Sequence, residues 1–244
     1  MENESYDAIV GSRSAPYLTH LARACGLATN YTAIAHPSLP NYLAATSGET
    51  WGVTDDGPPA AHPIRYPSIF SQVAAAGKTW RSYEESMPSN CDQSSAGEYA
   101  VKHNPPAYYT AIRADCARWD VPLSALRVNR LPAFSFVTPN LCNDMHDCSV
   151  ATGDRWLARF VPSLLSSRPY RSGSTVVFIT FDEGTDAANH VATIVVSPTT
   201  RPGTRSAVRF DHYALLKTTE QLLGLRDDLG HAVNARSMRA AFHL

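Results

Sequence analysis

The sequence lacks an apolar run long enough to cross a membrane. Its longest runs, such as Val191–Val196, are strand-sized, whereas a membrane helix needs about 20 apolar residues. It also lacks an excess of either charge, with 21 Lys plus Arg against 22 Asp plus Glu, so nothing favours a nucleic-acid partner or an anionic membrane. A hydrophobic fraction of 44% with only 18% charged residues argues against disorder. These absences predict a globular chain.

The five cysteines lack a CxxC pair, which argues against a structural zinc site of the usual spacing. They are Cys25, Cys91, Cys116, Cys142 and Cys148. We interpret them as two disulfides plus one free thiol, which favours an oxidising compartment. No signal peptide is visible, because Met1 is followed by the polar stretch Glu2–Asp7. The cysteines and the N-terminus therefore point to different compartments.

The chain also lacks internal repeats and low-complexity linkers, so we predict one domain over residues 1–244. Apolar spacing predicts a helix after Pro16, closed by Gly26, and a second helix over Pro67–Ala76. A strand is expected around Lys78–Tyr83. A polar excursion follows over about 84–122, and a short tail covers 226–244.

The second half of the chain alternates between strand and helix patterns. Strands are predicted at Ala133–Thr138, Thr175–Phe181 and Val191–Ser197, and helices at Arg155–Ser166 and His212–Leu223. Strands that are apolar throughout and separated by helices predict an α/β sandwich with a mostly parallel sheet. Ligands of such sheets bind beyond the carboxyl ends of the strands, so polar residues directly after strands become site candidates.

Two adjacent carboxylates, Asp182 and Glu183, end one of these apolar runs. A buried carboxylate pair needs a compensating cation or proton, so a metal is a natural partner. The alternative is a pair of solvated carboxylates before a glycine turn. Further on, His212 follows Asp211, and it could equally be a first-turn helix residue with Asp211 as N-cap.

Two more polar clusters are candidates. Asn140, Asp144 and His146 follow the strand at Ala133–Thr138 and offer oxygen and imidazole ligands, which a Cys142–Cys148 bridge would hold in a small ring. The alternative is a polar loop tied by a disulfide.

The other cluster surrounds Ser38, where Pro37 and Pro40 restrict the backbone and could fix the hydroxyl as a nucleophile requires. A proline-rich turn would look similar. No serine lies in a GxSxG elbow, so a hydrolase of the Ser-His-Asp type lacks its usual signature.

Taken in order, five motifs form a recognisable series. They are Glu2-Asn3-x-Ser-Tyr-Asp7, His36-Pro-Ser-Leu-Pro-Asn-Tyr42 with Thr46-Ser-Gly48, Asn140–Asp147, Thr180-Phe-Asp-Glu-Gly184, and Asp211-His-Tyr213 ahead of Leu222-Leu-Gly-Leu225. The chain resembles the phosphoesterase family of bacterial acid phosphatases and phosphatidylcholine-type phospholipases C, within the alkaline phosphatase superfamily. The resemblance runs from Glu2 to about Leu225 and implies an alkaline-phosphatase-like three-layer sandwich.

The resemblance also implies roles for individual residues. A divalent metal would be held by Glu2, Asn3, Ser38, Asp182 and Glu183. Ser38 would be the nucleophile, with Asn41 as a donor to a phosphoryl oxygen. Asp144, His146 and His212 would ligate a second metal; in a single-metal enzyme the two histidines would bind phosphate and protonate the leaving oxygen. We expect one firmly held metal, of unassigned identity, with the second site weak or absent.

The implied function is hydrolysis of small phosphoric esters through a phosphoserine intermediate. Phosphomonoesters are the preferred substrate, and phosphodiester or phospholipase C-type cleavage is the alternative. A non-catalytic anion-binding or structural protein on the same scaffold is a rival from another class. The resemblance places a strand before Glu2, and we expect this first strand of the fold to be missing here. We therefore expect the natural product to begin upstream, with that strand and a secretion signal. Its location would be secreted or cell-envelope.

Overall fold

The computed structural model describes all 244 residues, and helices and strands alternate along them. The α-helices are Tyr6–Ile9 (α1), Pro16–Ala24 (α2), Ser38–Ser47 (α3), Ile69–Ala75 (α4), Arg113–Trp119 (α5), Val150–Leu165 (α6), Arg168–Arg171 (α7), His212–Leu222 (α8) and Arg239–Phe242 (α9). The strands are Gly26–Ala28 (β1), Tyr31–Thr32 (β2), Trp80–Glu84 (β3), Asp120–Pro122 (β4), Phe134–Thr138 (β5), Val177–Thr180 (β6), Thr193–Val196 (β7), Arg205–Ser206 (β8) and Phe210–Asp211 (β9). Short 3-10 helices cover Val101–His103, Pro105–Tyr108, Thr110–Ile112, Leu123–Ala125 and Gly230–Asn234.

Local signals account for most of these elements. Proline occupies the first position of α2, where its missing N–H costs nothing. Asp211 caps α8 by accepting the amide of Ala214 at 2.8 Å, and Ser68 caps α4 in a capping box with Ser71. Each helix and strand predicted from apolar spacing is present, with ends that differ by a few residues.

Helix α3 is the main element that apolar spacing missed. Its sequence, with Pro37 before it and Pro40 in its first turn, looks like a turn. Proline is compatible with a first helical turn, because the amides there have no partner inside the helix. The helix ends at Gly48, whose φ of 76° suits a left-handed cap.

The strands form three sheets that together give the expected α/β class. Strands β4, β3 and β5 form a parallel sheet in that order, and β2 pairs with β9 in parallel. The third sheet has the order β6-β7-β1-β8, in which β7 runs antiparallel to both β6 and β1. The strands are thus divided among separate sheets, with antiparallel pairs in the largest.

Helices pack on the sheets in two pairs, α2 with α6 and α3 with α8. One apolar core joins α2 and α6 to the β6-β7-β1 strands, and the other joins α3 and α4 to β3. The tail contributes to the first core, because Met238 and Phe242 are fully buried.

The polar excursion is an ordered part of the fold. It contains α5, and β4 extends the sheet beside β3. A disulfide joins Cys91 to Cys116, and a second joins Cys142 to Cys148, while Cys25 is free. The predicted two bridges and one thiol are confirmed. The excursion folds back over α3, which brings His103 to the strand ends.

Candidate active site

Ser38 is the first residue of α3 and lies buried at the centre of the candidate site. Its Oγ donates to Glu2 Oε2 at 3.1 Å and to Glu183 Oε1 at 3.3 Å. A helix N-terminus carries a partial positive charge, which favours a bound anion. In α3 the Leu39 amide already donates to Asp56 Oδ1 at 2.9 Å, and Pro40 has no amide proton. The structure therefore places the Ser38 hydroxyl at a helix start, in contact with two carboxylates.

Four buried carboxylates from three parts of the chain belong to the site, and two of them, Glu2 and Glu183, contact the hydroxyl. Glu2, Asp144, Asp182 and Glu183 are all at most 7% exposed. Burial and the nearby Glu2 carboxylate raise the pKa of Asp182 well above its usual value. Burial also raises the pKa of Glu183, although His36 beside it opposes the shift. This buried negative charge requires a compensating cation or bound protons.

Asn3, a predicted metal ligand, contacts Asp182 through its backbone amide. Its backbone has a φ of 47°, in the left-handed region that asparagine tolerates better than most residues. Its amide donates to Asp182 Oδ1 at 3.1 Å. The chain turn at Asn3 thus ties the N-terminal segment to the carboxylates after β6.

His103 is the one buried cation in this group. Its Nε2 lies 3.1 Å from Glu2 Oε2 and its Nδ1 lies 3.3 Å from Asp144 Oδ2. Burial opposes protonation, but Glu2 and Asp144 outweigh it and raise the pKa of His103 to about 10. The ring stacks on Tyr42, whose hydroxyl donates to Glu2 Oε1.

His146 lies at the rim of the site, in the loop that the Cys142–Cys148 bridge closes. Its Nδ1 is 2.6 Å from Asp147 Oδ1, and its Nε2 is 3.1 Å from the Lys102 ammonium. Asp144 supports this loop by accepting the His146 amide at 2.8 Å. Lys102 also pairs with Asp56 at 2.8 Å, beside an open cavity of about 430 Å³.

Two of the predicted site residues, His212 and Asn41, support the backbone around the site. His212 is 1% exposed, with Nε2 2.6 Å from the Asp182 carbonyl and Nδ1 3.0 Å from the Tyr31 hydroxyl. The Asn41 amide group donates to the carbonyls of Ala35 and Pro37 and accepts the amides of residues 34 and 35. In this structure neither side chain has a hydrogen-bonding atom free for a metal or a phosphoryl oxygen.

Two further histidines, His36 and His190, differ in their contacts. His36 pairs with Glu183 through Nδ1. His190 stacks on Tyr6 and bonds to the Thr29 carbonyl at 3.2 Å, without a hydrogen bond to any site carboxylate.

The residues present fit a divalent cation. Asp182 Oδ2 is a buried oxygen without a hydrogen-bond donor, and Asp144 Oδ2 meets only the His103 imidazole, at 3.3 Å, an arrangement that metal ligation would satisfy. One ligand atom from each of Glu2, His103 and His146 lies within 4.8 Å of the other two. Carboxylate oxygens suit hard cations, and the imidazoles add the option of zinc.

Local sequence patterns gave little sign of His103, Tyr42 and Lys102. His103 lies in Lys102-His-Asn-Pro105, within a polar segment, and only the return of that segment over α3 brings it to Glu2. The one local signal for these residues was a lysine and a histidine directly before Asn-Pro.

Known proteins share both the sequence and the fold. Phosphatidylinositol-3-phosphatase of Mycobacterium tuberculosis is 35% identical over 240 residues, which cover 96% of this chain and 78% of that protein. Phosphate-repressible acid phosphatase of Penicillium chrysogenum is 31% identical over 85% of this chain and 54% of its own length. The chain therefore spans about half the length of that fungal relative.

Two solved structures share the fold at low sequence identity. A protein in the alkaline phosphatase superfamily from Vibrio parahaemolyticus superposes with a TM-score of 0.61 at 13% identity, covering 99% of this chain and 70% of its own. The lipoteichoic acid synthase LtaP from Listeria monocytogenes gives a TM-score of 0.65 at 9% identity, covering 96% and 74%. The fold is that of the alkaline phosphatase superfamily.

The chain is thus a hydrolase of phosphoric ester bonds on an alkaline-phosphatase-like fold. It belongs to the Phosphoesterase family, whose model matches residues 8–226. None of its helices is both long enough and apolar enough to span a bilayer.

Proposed function

We propose that the chain is a metal-dependent phosphomonoesterase that works through a phosphoserine at Ser38. The observation that carries this is the Ser38 hydroxyl, buried at the N-terminus of α3 within 3.3 Å of two carboxylates. The names of both relatives, a phosphatidylinositol-3-phosphatase and an acid phosphatase, support monoesters as the substrate class.

The first metal would be held by Glu2, Asn3, Asp182 and Glu183 together with Ser38. A divalent cation there would lower the pKa of the Ser38 hydroxyl and neutralise charge on the phosphoryl oxygens. Asp144, His103 and His146 would hold a second, weaker metal, which would displace the proton that His103 carries in the metal-free protein.

The chain's own groups account for the proton transfers. Glu183 Oε1 is 3.3 Å from Ser38 Oγ, and its raised pKa makes it the better acceptor of the serine proton than Glu2, whose pKa His103 lowers against the effect of burial. Ser38 Oγ bonds to phosphorus while the bond to the leaving oxygen breaks. Where no second metal is bound, the Lys102–His146 pair at the open rim would give that oxygen a proton, because the Lys102 ammonium holds the proton that it shares with His146 Nε2 at 3.1 Å. Water then cleaves the phosphoserine and releases phosphate.

Two predicted residues take positioning roles in this proposal. His212 fixes the Asp182 backbone through its carbonyl. Asn41 fixes residues 34–37, and with them the direction of Ser38 at the start of α3. The two disulfides fit an oxidising compartment, so we also propose that the enzyme works outside the cytoplasm.

The test compares Ser38→Ala with Ser163→Ala, the same change at an exposed position of α6. p-Nitrophenyl phosphate turnover should fall roughly 10³-fold or more in Ser38→Ala and stay unchanged in Ser163→Ala. Elemental analysis of the purified parent should find a divalent metal, and chelation should abolish turnover until metal is restored. Acid-quenched parent should carry a phosphoryl group on the Ser38 peptide.

A substrate panel separates monoesters from diesters. Bis(p-nitrophenyl) phosphate should turn over far more slowly than p-nitrophenyl phosphate, and the reverse order would indicate a phosphodiesterase. Equal turnover by Ser38→Ala and the parent, or activity that survives complete metal removal, would rule out this mechanism.

A further inference from the structure

Asp56, in the segment between α3 and α4, joins two parts of the candidate site that are distant in the chain. Its Oδ1 accepts the Leu39 amide at 2.9 Å, in the first turn of α3 and directly after Ser38. Its Oδ2 accepts the Lys102 ammonium at 2.8 Å, and Lys102 Nζ lies 3.1 Å from His146 Nε2. One carboxylate therefore holds both the start of the nucleophile helix and the Lys102–His146 pair at the rim.

The two contacts use different properties of this carboxylate. The Leu39 amide needs only an oxygen acceptor, as at any helix N-terminus. The Lys102 ammonium is a point charge on a flexible four-carbon stem, so its position depends on a partner of opposite charge. The side chains of Lys102 and Asp56 are only 20% and 27% exposed, so solvent screens the pair incompletely. The charge of Asp56 therefore restricts where the ammonium can lie.

The turn that carries Asp56 is held on its far side. The Gly57 amide donates to Asp55 Oδ1 at 2.7 Å, an interaction typical of an Asx turn. The Gly57 carbonyl accepts the hydroxyl of the buried Tyr108 at 2.9 Å. Asp56 is thus held in position by its neighbours before any substrate binds.

The Lys102 ammonium has one proton to spare. An ammonium carries three protons, and Asp56 Oδ2 and His146 Nε2 accept two of them. His146 uses its other nitrogen, Nδ1, for Asp147 Oδ1 at 2.6 Å. The third ammonium proton has no acceptor in the protein, and Lys102 lines the open cavity of about 430 Å³ together with Asp56 and His146. That proton is therefore available to an oxygen that enters from the cavity.

We propose that Asp56 is a positioning residue that holds the Lys102 ammonium at the leaving oxygen and fixes Ser38 through the Leu39 amide. This inference rests on the proposed function, in which Ser38 attacks phosphorus and the Lys102–His146 pair protonates the leaving oxygen. A proton of the ammonium passes to that oxygen as its bond to phosphorus breaks. The lysine amine takes a proton back from the water that later cleaves the phosphoserine, while Ser38 recovers its own from Glu183. Asp56 touches no reacting atom.

The experiment compares Asp56→Asn with Asp55→Asn. Asparagine at position 56 keeps an oxygen for the Leu39 amide and removes the charge that holds Lys102. Asp55 is the neighbouring carboxylate, exposed and outside the site, and asparagine there still accepts the Gly57 amide. Each variant is assayed, as purified, on phenyl phosphate and on p-nitrophenyl phosphate. Phenolate needs a proton in order to leave, whereas the nitro group stabilises p-nitrophenolate as an anion.

Asp56→Asn should therefore lower kcat/KM for phenyl phosphate by roughly 10²-fold and that for p-nitrophenyl phosphate by about threefold or less. Asp55→Asn should match the parent on both substrates. A general loss of structure would slow both substrates alike, so the ratio between them isolates proton donation. Equal losses on the two substrates, or no loss on either, in Asp56→Asn would overturn the inference.

A second measurement does not depend on phosphatase activity. Hydrogen exchange at the Leu39 amide should be roughly tenfold faster or more in Asp56→Ala, which removes both contacts, and should match the parent in Asp56→Asn, which keeps the acceptor. Unchanged Leu39 exchange in Asp56→Ala would also overturn the inference. Failure of the proposed function is a separate result, since Ser38→Ala would then be as active as the parent.

Discussion

Replacing His103 by Gln tests whether one buried cation balances the acidic site. His103 is 2% exposed and lies 3.1 Å from Glu2 Oε2 and 3.3 Å from Asp144 Oδ2, which are both fully buried. At an effective dielectric constant of about 20, each of these contacts is worth about 5 kcal/mol before desolvation. Desolvation offsets much of this, and removing one partner of a buried ion pair typically costs about 3–5 kcal/mol.

The assay is urea unfolding followed by tryptophan fluorescence at pH 7, with metal removed by a chelator. His103→Gln should lower the free energy of unfolding by about 3–5 kcal/mol. His20→Gln, the same change at an exposed histidine of α2, should stay within about 0.5 kcal/mol of the parent.

The loss should shrink when a saturating divalent cation is added, because the cation then balances the carboxylates. His103→Phe keeps a ring against Tyr42 and separates charge from stacking, and it should lose at least as much stability as His103→Gln. A loss below about 1 kcal/mol in His103→Gln would refute the reasoning, because it would mean that Glu2 and Asp144 need no buried cation.

Two more changes test parts of the fold that support the site. Burial raises the pKa of Asp120 to about 7, so the folded state holds this proton more tightly than the unfolded chain, and the parent should lose up to a few kcal/mol of stability as pH rises from about 4 to 7. Asp120→Asn should lose less stability than the parent in urea unfolding across that range, with a remaining loss from Glu84, whose pKa burial also raises, and parallel curves for the two proteins would contradict it. The double change Cys142→Ser with Cys148→Ser opens a six-residue loop and should cost about 2 kcal/mol. It should also lower kcat/KM for p-nitrophenyl phosphate, because Asp144 and His146 lie in that loop, and an unchanged kcat/KM would show that the bridge does not order the site.

The helices, the strands and the acidic motifs could be predicted because each depends on a local sequence pattern. Apolar spacing marks α6 and α8, and a run of β-branched residues marks β6, whatever the rest of the chain does. A carboxylate pair directly after an apolar strand likewise predicts a site at the strand end. Helix α3 was missed because Pro37 and Pro40 have the same local pattern in a turn and in a first helical turn.

The sequence by itself determined the α/β class, the number of disulfides and which segments supply Glu2, Ser38, Asp182 and Glu183. Only the tertiary structure decided that His103 balances these carboxylates and that His212 and Asn41 support the site from behind. It also decided that β5 and β6, which belong to different sheets, line one cavity. These outcomes depend on contacts between residues far apart in the chain, such as the 179-residue separation that Met1 bridges to reach Thr180. No local pattern encodes which distant partners will meet, because packing of the whole chain sets those distances.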